Sequence, residues 1–291
     1  MRIAFLADLH MDYLWHEKLS EQKEQKIAEL AKEVDALILC GDNAAVFTNL
    51  EHHRRLYRAI REHFNGPVAS VLGNHDLWSE YCLRTIPLLM HHHPLLMAEF
   101  DIINLEAQNL DLDGLTIAGT YGHYDYSLGL RQADLGESDW ENGEAVVYGH
   151  PESFLDKKMQ DWEGKHDREV CKELLDAFES RLASAAQPLI TISHTVPRAD
   201  LIPHPQTPEH IFCSGYRGSS EIGRLVHAYT SMLHVSGHAH AYGRAKEYPT
   251  TFISMGAEIN IWTRFVFNTQ NRHESVHLEA LRDEDEDSQD G

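Results

Sequence analysis

The sequence is poor in cysteine and in positive charge, and it has no long apolar run. Its four cysteines, Cys40, Cys82, Cys171 and Cys213, stand singly along 291 residues. They form no CxxC pair and no dense framework. That excludes a disulfide-stapled fold and a structural thiolate zinc site, and it fits a reducing cytosol. Cys40, at the end of an apolar run, reads as a small buried hydrophobe. No apolar run is long enough for a membrane span, so no membrane partner is expected. The N-terminus enters a strand pattern directly, without the charged region, apolar stretch and cleavage site of a signal peptide; a cytoplasmic location is expected. Lys and Arg number 25 against 46 Asp and Glu, a net charge of −21. A surface that acidic disfavours duplex nucleic acid, whose affinity depends on basic side chains neutralising phosphates. It also repels an anionic substrate unless bound cations reverse the sign locally. Six of the acids fall in the last nine positions, Asp283 to Asp287 and Asp290, and residues 281–291 read as a disordered tail. Residues 1–280 are expected to form a single domain, long enough for a substantial core at 42% hydrophobic content.

What is present is an alternation of strand and helix patterns. Ile3 to Ala7, Ala36 to Cys40 and Val68 to Leu72 are short apolar runs that read as buried strands. Between them, Ser20 to Val34 has apolar residues at helical spacing. Thr48-Asn49-Leu50-Glu51 resembles a capping box opening a helix to about Phe64, which Gly66-Pro67 then ends. Further on, Ile102–Asn104, Asn109–Leu112 and Leu115–Ala118 read as short strands, with Asp113-Gly114 as a tight turn. Glu169–Leu182 and Gly218–His227 read as helices, and Leu189–Ile192 and Leu233–Ser236 as strands; the remainder to about Ala280 is strand-rich. The alternation predicts an α/β sheet layer that is at least partly parallel. Ligand sites in such sheets lie beyond the carboxyl ends of the strands.

The polar residues at those ends carry the chemistry. The first run leads into Asp8-Leu9-His10, the second into Gly41-Asp42-Asn43, and the third into Gly73-Asn74-His75-Asp76. Later strands end at Ser193-His194 and at Gly237-His238-Ala239-His240. Asp8, His10, Asp42, Asn74, His194, His238 and His240 make seven ligand candidates. That is enough for two ions, since the two oxygens of Asp42 can bridge them. Mixed oxygen and imidazole ligation suits manganese, iron or zinc better than magnesium or calcium.

These five blocks, in this order, resemble a calcineurin-like metallophosphoesterase of the bacterial phosphodiesterase type. Any one block is weak by itself, but five in order, each after a strand, are specific. The resemblance spans residues 1 to about 265. It implies a four-layer αββα sandwich of two mixed β-sheets flanked by helices, holding two divalent or trivalent metal ions. One ion would take Asp8, His10, Asp42 and His240, and the other Asp42, Asn74, His194 and His238. It also implies a phosphoester hydrolase in which a hydroxide held between the ions attacks phosphorus in line. His75 resembles the family's non-ligand histidine, which touches the phosphate and protonates the leaving oxygen. Asp76 would fix its tautomer and orientation. Some relatives with this fold serve as binding scaffolds after losing ligand histidines; this chain has lost none, and a catalytically inactive binding scaffold is the alternative from another class.

Substrate selection must lie in less constrained elements. Trp78 and Tyr81 can line the cleft or pack in the core. Residues 120–165, rich in aromatics, can form a cap over the metals or a separate small core. His123, at a strand end within that cluster, is a substrate-side candidate. Arg217 can bind a phosphate oxygen, while Ser219 or Ser220 beside it reads as a helix N-cap. The acid after His75 and the aromatic excursion resemble phosphodiesterase-type members more than protein phosphatases, which carry extra arginines near the metals. A distant Arg217 or Arg131 could fill that role, so a phosphomonoesterase stays open. The substrate class expected is a small-molecule phosphoester; the oligomeric state is not legible. Of the 21 histidines, His52, His53 and His63 are expected on a polar helix face, and His91-His92-His93 at an exposed helix end.

Overall fold

The computed structural model describes residues 1–12, 17–46, 49–79, 83–130, 135–256 and 261–280. Thr48, Tyr81, Cys82, Arg131 and the acidic tail lie outside the described residues.

The apolar runs become strands β1 (Arg2–Leu6), β2 (Ala36–Cys40) and β3 (Val68–Val71), followed by the short β4 (Ile103–Asn104). Strands β5 (Leu110–Leu112) and β6 (Leu115–Thr120) follow, joined at Asp113-Gly114, where both residues have positive φ. A hairpin of β7 (Glu144–Val147) and β8 (His150–Ser153) comes next. After it come β9 (Leu189–Ser193), β10 (Leu233–Ser236), β11 (Gly243–Glu247), β12 (Thr250–Ser254), β13 (Ile261–Asn268) and β14 (His273–Ala280). Two mixed six-stranded sheets result, in the orders β14-β13-β1-β2-β3-β4 and β11-β12-β10-β9-β6-β5. In the first, β1 to β4 run parallel; in the second, β6, β9, β10 and β12 do.

The period-two pattern decides which face meets what. Ile3, Phe5 and Ala7 of the first run, and Ile38 and Cys40 of the second, point between the sheets. They meet Ile117, Ile190, Ile192, Val235 and Ile253 from the opposite sheet. Fully burying each large side chain contributes on the order of 1.5–3 kcal/mol. The alternate residues Ala4, Leu6, Leu37 and Leu39 face outward against Ile27 and Leu30 of the helix Glu17–Ala31 and Leu56 and Ile60 of the helix Glu51–His63. On the far side, the helices Asp167–Ala183 and Ser220–Ala228 cover Ala118, Leu189 and Phe252. The order of layers is therefore helix, sheet, sheet, helix, as expected. The cap of the helix Glu51–His63 differs from the capping box: the Asn49 side chain accepts from the Glu51 backbone N–H at 2.8 Å.

The aromatic excursion forms mainly its own small core. Tyr124, Tyr126, Trp140 and Val147 pack with Ile211, Phe212 and Tyr216, and the Trp140 indole N–H donates to the Phe212 carbonyl at 2.9 Å.

His234 of β10 is fully buried, and burial pushes its imidazole down to about 3. Its folded value lies below its unfolded one, so the stability it permits is complete above pH 6.5 and is lost as pH falls towards 3. At pH 5 the loss is about 2 kcal/mol from this residue. Urea unfolding at pH 7 and pH 5 should therefore show a smaller loss of stability on acidification for His234→Gln than for the parent chain. Equal losses would remove His234 from the account.

Candidate metal centre

Packing the sheets face to face brings the carboxyl ends of β1, β2, β3, β9 and β10 together. Past those ends the chains stay hydrogen-bonded. The N–H groups of Asp8, His10 and Met11 donate to the carbonyls of Gly41, Asp42 and Asn43 at 3.0, 3.0 and 2.9 Å. Gly237 N–H donates to the His194 carbonyl at 3.0 Å. The His238 N–H donates to Asp8 Oδ1 at 3.0 Å, which joins the two sheets. Asp8, His10, Asp42, His238 and His240 all have left-handed backbone, with φ between 42° and 65°. Non-glycine residues adopt that region rarely, and a cluster of five is characteristic of a functional site. Gly73 is required by close approach, because a Cβ there would lie 2.2 Å from Asp42 Oδ1.

The ligand candidates form two groups that share one residue. Asp8, His10, Asp42 and His240 can bring one ligand atom each within 4.8 Å of one another, and so can Asp42, His194 and His238. Asn74 joins the second group: its Oδ1 lies 2.9 Å from His194 Nε2, which is itself 3.4 Å from Asp42 Oδ1. The imidazoles are aimed by bonds at their far nitrogens. His194 Nδ1 donates to the Cys40 carbonyl at 3.0 Å, and His238 Nε2 donates to the Tyr216 carbonyl at 2.9 Å. The nitrogens left facing inward are His194 Nε2 and His238 Nδ1.

The electrostatics suit a cation. Burial, then the neighbouring His75, holds His10 well below the ordinary histidine value, and burial, then His194, does the same for His238. Both are thus neutral donors. Burial would raise the Asp42 carboxyl, but His194 and His75 hold it well below the usual carboxylate range. Burial works against charge on His194 too, yet Asp42 lifts it to about 9. Asp42 Oδ2 is buried and has no hydrogen-bond donor among the described residues, a costly position for an ionised oxygen unless a cation faces it. This donor set therefore fits divalent metal ions.

His75 belongs to neither group. Its ring stacks on Trp78 at 3.7 Å between centroids, and its Nε2 lies 4.0 Å from Asp42 Oδ2. It is beside the ligands and partly exposed.

Residues 1–159 match the family model of the calcineurin-like phosphoesterase superfamily domain. The chain belongs to that superfamily. It is a phosphoester hydrolase. The match includes Asp8, His10, Asp42, Asn74 and His75, while His194, His238 and His240 lie beyond it and are joined to the others by the fold. Among solved structures, the phosphopantetheinyl hydrolase of Mycobacterium tuberculosis is similar at a TM-score of 0.66 and 20% identity, over 87% of this chain and 89% of that one. TT1561 of Thermus thermophilus is similar at 0.55 and 15%, over 97% and 99%. A putative 5'-nucleotidase of Staphylococcus aureus is similar at 0.50 and 14%, over 98% of this chain and 55% of that one. At these identities the likeness is one of fold. No curated protein sequence matches the chain.

Several expectations for this phosphoesterase need correction. Asp76 does not orient His75. Its carboxylate is fully buried and accepts from the N–H groups of Gly73, Asn43 and Ala44 at 2.7, 3.0 and 3.1 Å, and lies 2.7 Å from His53 Nε2. Asp76 follows His75 in a tight turn, Asn74 to Trp78, so the two side chains leave in different directions. His53 is not on a polar face and His93 is not at an exposed end. Both are fully buried beneath the block, and His93 Nε2 lies 2.6 Å from the Asp76 carbonyl. His123 does not reach the metal ligands' open side. It is fully buried, between the Tyr121 hydroxyl at 3.0 Å and Asp167 Oδ1 at 3.2 Å.

Trp78 is at the site, under His75. Arg217 is half-buried and donates to the His238 carbonyl at 3.1 Å, and the neighbouring Ser219 is the N-cap expected, accepting from Glu221 N–H at 3.1 Å. Tyr81 lies outside the described residues. Sequence reasoning missed Asp156, which reaches Asn74 and Trp78 from 82 and 78 positions away. No local signal marked it.

Asp76→Ala should remove about 3–5 kcal/mol of stability, because three buried backbone donors and His53 lose one charged acceptor. Urea unfolding of the metal-free protein checks this; a loss under about 1 kcal/mol, no more than one ordinary hydrogen bond, would show that the loops hold without it.

Proposed function

We propose that the chain is a dinuclear-metal-dependent phosphodiesterase acting on small molecules. Asp8, His10, Asp42 and His240 hold one ion, and Asp42, Asn74, His194 and His238 the other. The observation that carries the reading is the pair of ligand groups sharing Asp42, with His75 beside them and in neither. Oxygen and imidazole donors without thiolate suit manganese, iron or zinc. Such a pair of ions, when bound, supplies the positive charge that draws a phosphoester to an acidic protein and acidifies water as a nucleophile.

The chain's own residues do the rest. Asp42 offers one oxygen to each group, and its Oδ1 is held by the His75 backbone N–H at 2.9 Å. The fixed His194 and His238 rings keep the second group in register. His75 is placed to give its proton to the leaving oxygen, with the Trp78 ring holding the imidazole plane. A phosphomonoesterase is the second reading, and Arg217 favours it, as a half-buried cation bonded to a ligand loop that can meet an extra phosphate charge.

Turnover of an alkyl phosphodiester and an alkyl phosphomonoester by the manganese-loaded protein separates the two readings. Alkyl esters are preferred because a nitrophenolate leaves without an acid's help. His75→Ala should keep both ions and slow turnover about a hundredfold or more. Asp42→Ala should lose both ions. Two bound ions with no turnover of either ester would favour a scaffold; loss of metal from His75→Ala would make that residue a ligand.

A further inference from the structure

The excursion after β6 is more than a separate core. At Asp156 it returns to the metal centre, where it meets the ligand candidate Asn74 and the ring under His75. Asp156 is buried at 3% exposure, in the short helix Asp156–Met159. Its Oδ1 accepts from Asn74 Nδ2 at 3.2 Å and from the Trp78 indole N–H at 2.8 Å. Its Oδ2 accepts from the Tyr124 hydroxyl, which belongs to the aromatic core. The stretch after it continues the attachment. Gln160 Nε2 donates to the Asn74 carbonyl at 3.1 Å, and Ser79 N–H donates to the Met159 carbonyl at 2.7 Å.

We infer that Asp156 is a positioning residue of this centre, fixing the metal ligand Asn74 and the plane of His75 with one carboxylate oxygen. The first half of the argument is about an amide. An asparagine side chain has one acceptor end and one donor end, and only the acceptor end binds a cation. With Nδ2 held by Asp156, Oδ1 must face His194 and Asp42. Without that acceptor, the amide can rotate about its last bond and turn N–H groups towards the ion. The second half concerns a ring. Trp78 is the surface on which His75 stacks, and its indole is held at Nε1 by the same oxygen. A Trp78 ring free to turn would release the imidazole from its direction towards the leaving group. The excursion thus serves as a wall of the metal centre, anchored in its own core through Tyr124.

The role rests on the metal reading above, and metal titration separates the two. Chelated, metal-free full-length protein is titrated calorimetrically with manganese. The parent chain should bind two ions; if it binds none, the metal reading fails and takes this role with it, whereas failure of this role alone shows only in the variants. Asp156→Ala should weaken one ion about tenfold to a hundredfold and leave the other within about threefold. Asp156→Asn should keep both within about threefold, because its amide oxygen can still accept from Asn74 and Trp78 while Tyr124 accepts from the new N–H. Should Asp156→Ala fail to fold, Asp156→Glu keeps the charge but displaces the oxygen, and should weaken the same ion about tenfold. Trp78→Phe keeps the ring and loses the bond; both ions should stay while kcat for an alkyl diester falls about tenfold at unchanged KM. Parent-like titration of a folded Asp156→Ala or Asp156→Glu, or a loss in Asp156→Asn as large as in Asp156→Ala, would overturn the role.

Discussion

The centre depends on one buried carboxylate that touches no metal candidate. Asp76 gathers three backbone N–H groups from two loops and a histidine from a helix beneath them. A carboxylate in a dry interior is tolerated only when charge-assisted bonds replace its water, and here they do. The consequence is geometric. Asn43 and Ala44 follow Asp42, and Gly73 precedes Asn74, so closing those bonds fixes the loops that present both ligands. Asp42 in turn accepts from the His75 N–H. Ligand placement after β2 and after β3 therefore cannot vary independently.

The sequence makes the strands that lead into the centre and the seven ligand candidates past their ends legible, because each signal is local; the order of strands within the two sheets and the β7–β8 hairpin are not. An apolar run with period two marks a buried strand, and a polar residue just past it marks the sheet's carboxyl edge. His194 and His238 are legible for the same reason, although they are separated from Asp8 by most of the chain. The support of those residues was hidden. His53 has arginines and a histidine as chain neighbours and reads as polar surface, yet the helix turns it inward to Asp76. Asp156 has no periodicity or motif around it, and its importance comes from contacts made 78 and 82 positions away. Asp76 misled in the opposite sense: adjacency to His75 suggested a pair, while the tight turn separated their directions.

The excursion illustrates a related ambiguity. Its aromatics are compatible with a lid or with a core, and composition cannot distinguish them. Packing does, since Trp140 and Tyr216 satisfy their polar atoms against backbone and Phe154 stacks on Tyr216 at 3.9 Å. At the centre itself this segment places the Asp156 carboxylate against Asn74 and the ring under His75, with Tyr121 and Tyr124 beside the His194 and His238 rings.

The left-handed backbone at Asp8, His10, Asp42, His238 and His240 has a bearing on how such a protein can change over generations. At Asp8 and His10 the backbone is held by bonds to the loop after β2, and Asp76 secures that loop beyond Asp42, so this part of the frame does not depend on the imidazoles. Asparagine or glycine at His10, His238 and His240 would suit the backbone there while removing three imidazole donors. A loop frame of this kind can therefore persist where its imidazoles do not.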